Sequence, residues 1–169
     1  MPLEHDLYKS IISQYEECLV RISVFRDEPR YAVQGDISDC NLYKTEDGTI
    51  GIFDFNRCGD NNLYFDAVMQ AVFEARLMNY PDNYAGKSEE LILPAFLSGY
   101  NCERPFSDMQ KRIYPYLYAV INAFWSADII WNDTSLRHSV EAGDKESISS
   151  WMKEIDRRLH TLPEIPLAY

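Results

Sequence analysis

The sequence predicts an α+β fold that is mainly helical. Apolar residues recur at three- and four-residue spacing through most of the 169-residue chain, as on the buried faces of amphipathic helices. An Asp-Gly pair between two β-prone runs adds a small β-hairpin. With 46% hydrophobic residues, twelve Tyr and eight Phe, the chain has enough apolar side chains for one sizeable core. We therefore expect a single domain over residues 1–169.

The charge balance argues against several classes of partner. Sixteen Lys and Arg against 27 Asp and Glu leave a formal net charge of −11, so the chain lacks the basic surface that binds nucleic acid. No apolar run approaches the ~18 residues of a membrane-spanning helix, and the N-terminus lacks the charged and apolar regions of a signal peptide. We expect a cytoplasmic protein that binds neither nucleic acid nor membrane.

The N-terminal part, residues 1–30, is predicted to form one amphipathic helix. Its apolar side chains recur at helical spacing from Leu3 to Phe25. Pro29 ends the helix, because it lacks a backbone donor and disfavours the helical conformation of the residue before it. A short extended segment, Tyr31 to Val33, is expected to follow.

The next part, residues 31–60, is predicted to hold a catalytic loop and a hairpin. The hairpin strands are the β-prone runs 42–45 and 50–53, joined through Asp47 and Gly48. If these two residues alone form the loop, in a type I′ turn, then Asn41 faces Asp54 across the hairpin.

The remaining residues, 61–169, are predicted to form a helical body. Four helices are expected, from Asn61 or Asn62 to Leu77, from Ser88 to about Leu97, from Ser107 to Trp131, and from about Asp144 to Leu159. Ser107 and Gln110 have the spacing of a capping box, in which each side chain bonds the other residue's backbone amide. Residues 80–86, between the first two helices, are the best candidate for an exposed, mobile loop.

Three oxygen-bearing side chains form the candidate site: Asp36, Asn41 and Asp54. Cross-strand neighbours hold their Cβ atoms roughly 4.5–5.5 Å apart, so the expected register brings Asn41 and Asp54 onto one divalent ion. Mg²⁺ prefers such hard oxygen ligands and completes its shell with water and substrate phosphates. Asp36, on the loop that enters the hairpin, is placed to act as a general base.

These residues resemble the catalytic motifs of the aminoglycoside phosphotransferase and choline kinase family, small-molecule kinases with a protein-kinase-like fold. The matching stretches are Gly35-Asp36-x-x-x-x-Asn41, then Asp54 after twelve residues, then Gly59-Asp60 and Asp66. The resemblance implies that Asp36 is the catalytic base and that Asn41 and Asp54 hold Mg²⁺ for ATP. It also implies that Asp66 is buried and anchors the backbone of the catalytic loop, near residues 34–37.

The chain departs from the family pattern at two places. Gln34 replaces the family's usual His, so Gln34 is expected to supply the hydrogen bond that supports the loop, together with Gly35. Only 35 residues precede Asp36, and they contain no G-x-G-x-x-G motif and no room for a five-stranded nucleotide-binding sheet. The resemblance therefore covers a kinase-like C-terminal lobe only, and we expect this chain to bind ATP weakly by itself.

Several functions stay open from the sequence. The first is the catalytic lobe of an ATP- and Mg²⁺-dependent phosphotransferase acting on a hydroxyl of a small molecule. The alternatives are a non-catalytic binding or scaffold protein, or a fragment that works beside an N-terminal lobe. Acidic residues such as Glu74 and Glu89 would suit a cationic substrate, although a solvated acidic surface explains them too. A face left uncovered by the missing lobe would favour a homodimer or another partner.

Overall fold

The computed structural model describes residues 2–76, 88–124 and 135–167, and in these ranges the chain is mainly helical with two small antiparallel sheets. The predicted α+β, mainly helical class is therefore confirmed. The helices are α1 (Pro2–Ile22), α2 (Leu63–Arg76), α3 (Ser88–Glu103), α4 (Asp108–Phe124), α5 (Leu136–Ala142) and α6 (Lys145–Leu159). The strands are β1 (Tyr31–Val33), β2 (Leu42–Lys44), β3 (Ile50–Ile52) and β4 (Gly59–Asn61).

The described residues fall into two compact units. The first comprises residues 2–26, 107–124 and 135–165, and the second comprises residues 27–76, 88–106 and 166–167. The predicted helical body, residues 61–169, contributes to both units, because α2 and α3 belong to the second unit and α4 to α6 belong to the first.

Helices α1, α4 and α6 pack against one another in the first unit, and α5 packs on α6. The centre of this packing is a cluster of four buried side chains: Ile11, Ala123, Ile155 and Leu159. Helix α1 confirms the predicted N-terminal helix, and a 3₁₀ turn over Ser23–Phe25 continues it. The apolar faces of these amphipathic helices are buried against each other, which is their main source of stability.

Side-chain caps set the helix starts in the first unit. The predicted capping box opens α4, since Ser107 Oγ accepts from the Gln110 amide at 3.2 Å and Gln110 Oε1 accepts from the Ser107 amide at 2.9 Å. Asp144 Oδ1 caps α6 by accepting the backbone amides of Glu146 and Ser147. The short helix α5 was not expected, although Ser135 caps its start.

Helices α2 and α3 pack against each other in the second unit. Asn62 is the predicted cap of α2, and its Oδ1 accepts the Tyr64 amide at 2.9 Å. Helix α3 runs to Glu103, beyond the expected end at Leu97. The Tyr100 ring stacks on the ring of Phe106 at 5.3 Å between centroids. This aromatic packing stabilises the last turns of α3, although Gly99 is a poor helix former.

Parts of the predicted helical body lie outside the described residues. These are the end of the first helix at Leu77, the loop 80–86 and the continuation of α4 to Trp131. None of the helices in the described ranges combines the length and the apolar character that crossing a lipid bilayer requires.

The two sheets are nested in the chain. Strand β1 pairs with β4, and strands β2 and β3 pair between them as a hairpin, all antiparallel. Strand β1 confirms the extended segment expected at Tyr31 to Val33. Strand β4 was not expected, because Gly59, Asp60 and Asn61 are poor strand formers.

The hairpin register differs from the prediction by one residue. Leu42 pairs with Ile52 and Tyr43 with Gly51, so Asn41 lies opposite Phe53 and not opposite Asp54. The Phe53 amide donates to the Asn41 carbonyl at 3.1 Å, which continues the same register. The expected pairing of Asn41 with Asp54 was therefore wrong.

The cause is the length of the hairpin loop. Thr45 bonds the Thr49 carbonyl, and the loop holds three residues, Glu46 to Gly48, with Gly48 in the left-handed conformation at φ 90°. This arrangement is a common three-residue alternative to the two-residue type I′ loop, and an Asp-Gly pair suits both.

Candidate functional site

The nested strands place two connecting segments side by side in the second unit. Residues 34–41 lead from β1 to β2, and residues 53–58 lead from β3 to β4. Because β1 pairs with β4 and β2 with β3, both segments pass from one sheet to the other. They come into close contact at Gly35, whose φ is 81° and where an added Cβ would collide with the Arg57 carbonyl. These two segments carry Asp36, Asn41 and Asp54.

The side chain of Gln34 joins the two segments. Its Oε1 accepts the Asp36 amide at 2.7 Å, and its Nε2 donates to the carbonyls of Phe53 at 3.2 Å and Asp54 at 2.6 Å. The side chain is only 7% exposed, so water contributes little to these groups. The Gln34 side-chain amide therefore links the two segments as donor and acceptor at once.

Asn41 is bonded to Asp36 within the first segment. Asn41 Nδ2 donates to the Asp36 carbonyl at 2.8 Å and lies 3.4 Å from Asp36 Oδ2. A 3₁₀ turn over Asp39–Asn41 holds the Asn41 side chain in a position that is only 7% exposed. The amide nitrogen is used on Asp36, which leaves the amide oxygen as the group for a ligand.

Asp54 lies on the second segment and is exposed to solvent. Its φ is 56°, the one positive value among the non-glycine residues that the structure describes. Asp tolerates the left-handed region better than most residues, but the conformation still costs about 1 kcal/mol or more. Asp54 Oδ1 accepts the Asn56 amide at 3.3 Å, which orients the carboxylate within its own turn.

The side chains at the site suit a weakly held hard cation. Within the described ranges no group of three or more His, Cys, Asp or Glu side chains is placed to hold a metal ion. The oxygen ligands available for a metal ion are the Asn41 amide oxygen and the carboxylates of Asp54 and Asp36. Mg²⁺ needs few protein ligands, because it keeps several waters and takes further oxygens from substrate phosphates. The donor types therefore fit Mg²⁺ in the company of a nucleotide.

Asp66 is 6% exposed on α2, as expected. The expected bonds to the backbone near residues 34–37 were wrong, since its carboxylate bonds to the side chains of Asn61 and Gln70. Burial raises the pKa of Asp66, and these two hydrogen bonds partly offset that rise. Asp66 Oδ1 is buried without a hydrogen-bond partner. Asp66 therefore contacts the end of β4 at Asn61, and β4 pairs with β1, but Asp66 does not bond residues 34–37 directly.

Buried polar residues line one side of α2, and the burial of two of them, Gln70 and Glu74, was not predicted from the sequence. Asp66, Gln70 and Glu74 are spaced four residues apart, and all three are buried. Residues four apart lie on one face of a helix, so this polar row within an apolar segment was a readable signal. Glu74 is therefore not part of a solvated acidic surface, whereas Glu89 is partly exposed and pairs with Arg76 at 3.0 Å.

The hairpin beside the site carries exposed apolar side chains. The Tyr43 and Phe53 rings lie 6.4 Å apart on one face, and Ile50 and Ile52 lie on the other. All four are more than 40% exposed, as is Phe55. A two-stranded ribbon has little stability of its own in water, so apolar side chains on both faces suit a covering partner.

Comparisons with known proteins add no assignment to this geometry. No protein-family model, no curated protein and no solved structure matches the chain. A function for this site is therefore argued from the contacts of Gln34, Asp36, Asn41 and Asp54 themselves.

Proposed function

We propose that this chain is the catalytic lobe of a phosphotransferase that uses ATP and Mg²⁺ to phosphorylate a hydroxyl of a small molecule. The proposal extends the motif resemblance to the aminoglycoside phosphotransferase and choline kinase family, and with it a kinase-like C-terminal lobe.

One observation carries the proposal: a single buried side chain, Gln34, bonds both the backbone of Asp36 and the backbone of Asp54. Asn41 bonds Asp36 from the other side. These bonds tie together the backbones of the two segments that carry the proposed base and the proposed oxygen ligands. Such positioning is most of what a protein contributes to phosphoryl transfer.

Each residue then has a defined role. The Asp36 carboxylate orients the substrate hydroxyl and accepts its proton. The Asn41 amide oxygen and the Asp54 carboxylate are the ligands for Mg²⁺, which when bound would neutralise charge on the transferred phosphate. Gln34 and Gly35 are positioning residues that hold the loop carrying Asp36.

A second candidate function is a binding or scaffold protein, and the exposed hairpin favours it. Tyr43, Ile50, Ile52 and Phe53 offer an apolar surface next to the site. In the phosphotransferase proposal this surface receives a nucleotide-binding lobe or a second copy of the chain. In the scaffold proposal it binds a partner without any nucleotide.

Isothermal titration with Mg-ATP tests the proposal. We expect weak binding by the wild type, because the chain lacks a glycine-rich phosphate loop, and loss of that binding in Asp54→Asn. Asn tolerates a positive φ, so this variant removes the charge with little change in the backbone. Asp60→Asn, an exposed Asp on the adjacent β4, is the matched control and should bind as the wild type does.

The outcomes separate the candidates. Equal binding by the wild type and Asp54→Asn would contradict the metal role of Asp54. Micromolar binding that depends on Asp54 would support a phosphotransferase and contradict the expected weak affinity. Absence of binding in all three proteins would favour the scaffold. Phosphate transfer from ATP to choline or an aminoglycoside, lost in Asp36→Asn, would establish the activity directly.

A further inference from the structure

A groove in the first unit lies between the C-terminal half of α1 and the first turns of α4. Its volume is about 780 Å³, within the range of roughly 300–1,000 Å³ typical of small-molecule sites. All of its lining residues belong to α4, to α1 or to the 3₁₀ turn that continues α1, and none belongs to the site proposed above. They are Glu17, Val20, Arg21, Val24, Met109, Arg112, Ile113 and Tyr116.

Apolar side chains line most of the groove. Val20 on α1 and Val24 on the 3₁₀ turn that continues it are four residues apart and are 68% and 57% exposed. Across the groove, Met109 is partly exposed, and Ile113 is buried beneath it. The apolar body of a ligand in this groove would cover side chains that otherwise face water.

Two guanidinium groups stand beside this apolar surface in a chain of net charge −11. Arg21 lies 3.5 Å from the Glu17 carboxylate and 5.6 Å from the centroid of the Tyr116 ring, which together hold it in place. Arg112 contacts the Met109 sulfur at 4.0 Å, and among the described residues no carboxylate pairs with it. The charged groups of the groove sum to one positive charge.

From this arrangement we propose that the groove binds a medium-chain carboxylate, with its acyl chain along Val20, Val24 and Met109 and its carboxylate on Arg112. The single net positive charge matches a monoanion. Glu17 at the rim would repel a more highly charged phosphate. A guanidinium binds a carboxylate through two parallel hydrogen bonds, which gives the head group a fixed position.

Titration of the full chain with decanoate, below the concentration at which it forms micelles, tests this proposal. We expect saturable binding at one site in the micromolar range. Arg112→Gln should weaken it about tenfold, the usual effect of losing one charge-assisted interaction. Val20→Glu should weaken it by a similar factor, because it places a carboxylate in the path of the acyl chain. Both side chains are exposed, so neither change threatens the fold.

Arg137→Gln is the matched control, since Arg137 is an exposed Arg of the same unit, paired with Glu141 on α5. It should bind decanoate as the wild type does. Decanol, which has the same chain without the charge, should bind about tenfold more weakly than decanoate. In amide NMR spectra, decanoate should shift resonances of residues 17–24 and 109–116.

Four results would overturn the proposal. They are the absence of saturable decanoate binding, equal affinity for decanol and decanoate, equal weakening by Arg137→Gln and Arg112→Gln, and shifts confined to other residues. A sedimentation experiment distinguishes a different occupant. If the chain forms a dimer that Val20→Glu dissociates and decanoate does not, the groove is a contact between two copies and the proposal is wrong.

Discussion

The side-chain amide of Gln34 donates to the carbonyl oxygen of Asp54 at 2.6 Å while its oxygen accepts the Asp36 amide at 2.7 Å. One buried side chain therefore sets the distance between the backbone of the proposed base and that of a proposed metal ligand. Since an amide does not titrate, this link does not change with pH in the way that a histidine link would.

Gln34→Leu should destabilise the chain by about 1–3 kcal/mol, because it removes the hydrogen bonds that the buried amide makes with the backbones of Asp36, Phe53 and Asp54. Urea unfolding measures the loss. Gln34→Glu gives a matched comparison, since it keeps the acceptor for Asp36 and loses the donor to Asp54. The loss of stability in Gln34→Glu should become smaller at acidic pH, where the protonated carboxyl can donate a hydrogen bond again. A pH-independent deficit would contradict the donor role.

Gly35→Ala should be destabilising by about 1–3 kcal/mol, because Ala is strained at a φ of 81° and its Cβ would meet the backbone of Arg57. The control is Gly59→Ala in β4, where an added Cβ meets nothing within 4 Å and no positive φ is required. That variant should stay within about 0.5 kcal/mol of the wild type. Thermal unfolding measures the stability of both variants. Equal losses of stability would argue against close contact between residues 34–41 and 53–58.

Local signals explain what the sequence predicted of the fold. The start of α2 at Asn62, the capping box of α4 and the Asp144 cap of α6 each depend on a side chain within three residues of the helix start. The misjudged elements depend on contacts with residues outside the element. Strand β4 exists because β1 pairs with it, and the last turns of α3 pack aromatic rings from outside the helix.

At the site, too, contacts that are local in sequence differ from those that depend on the register of the strands. The bond between Asn41 and Asp36 joins residues five apart, and the motif placed both residues at one site without predicting this bond. The position of Asp54 depends on the hairpin register, and an Asp-Gly pair fits loops of two or three residues equally well. The partners of Asp66 lie four and five residues from it in sequence, at Gln70 and Asn61, so the residue spacing could have predicted them.

The stability of variants at Asp54 should follow how well the new residue tolerates a positive φ. Asp54→Gly should stabilise the chain by up to about 1 kcal/mol, because Gly has no Cβ penalty at 56°. Asp54→Ala should destabilise it by about 1 kcal/mol, and Asp54→Asn should lie near the wild type. Urea midpoints give the order. If Ala proved as stable as Gly, the left-handed backbone at Asp54 would be contradicted.

Glu154 should contribute to acid stability in the first unit. Hydrogen bonds from Arg157, with those from Arg158, lower the pKa of Glu154 to about 2. Because the pKa in the unfolded chain is about 4.3, this contribution is present above that pH and disappears as the pH falls through the folded value. Glu154→Gln should therefore be less stable than the wild type near neutrality and similar to it at the lowest pH. Calorimetry at a series of pH values, with Glu146→Gln as the control on the same helix, measures the difference.

Asp66 should have the opposite effect on the pH dependence of stability, since burial raises its pKa in the folded chain. The folded state then holds a proton that the unfolded state releases above about pH 3.9, so stability declines as the pH rises through the raised pKa.

Asp66→Asn keeps the size of the side chain and removes this titration. The difference in unfolding free energy between the variant and the wild type should move in favour of Asn as the pH rises from about 4 to 7. Asp60→Asn, at an exposed position in the neighbouring strand, is the matched control. A constant difference for Asp66→Asn across this range would mean that the buried carboxylate titrates normally, and that Asn61 and Gln70 fully offset its burial.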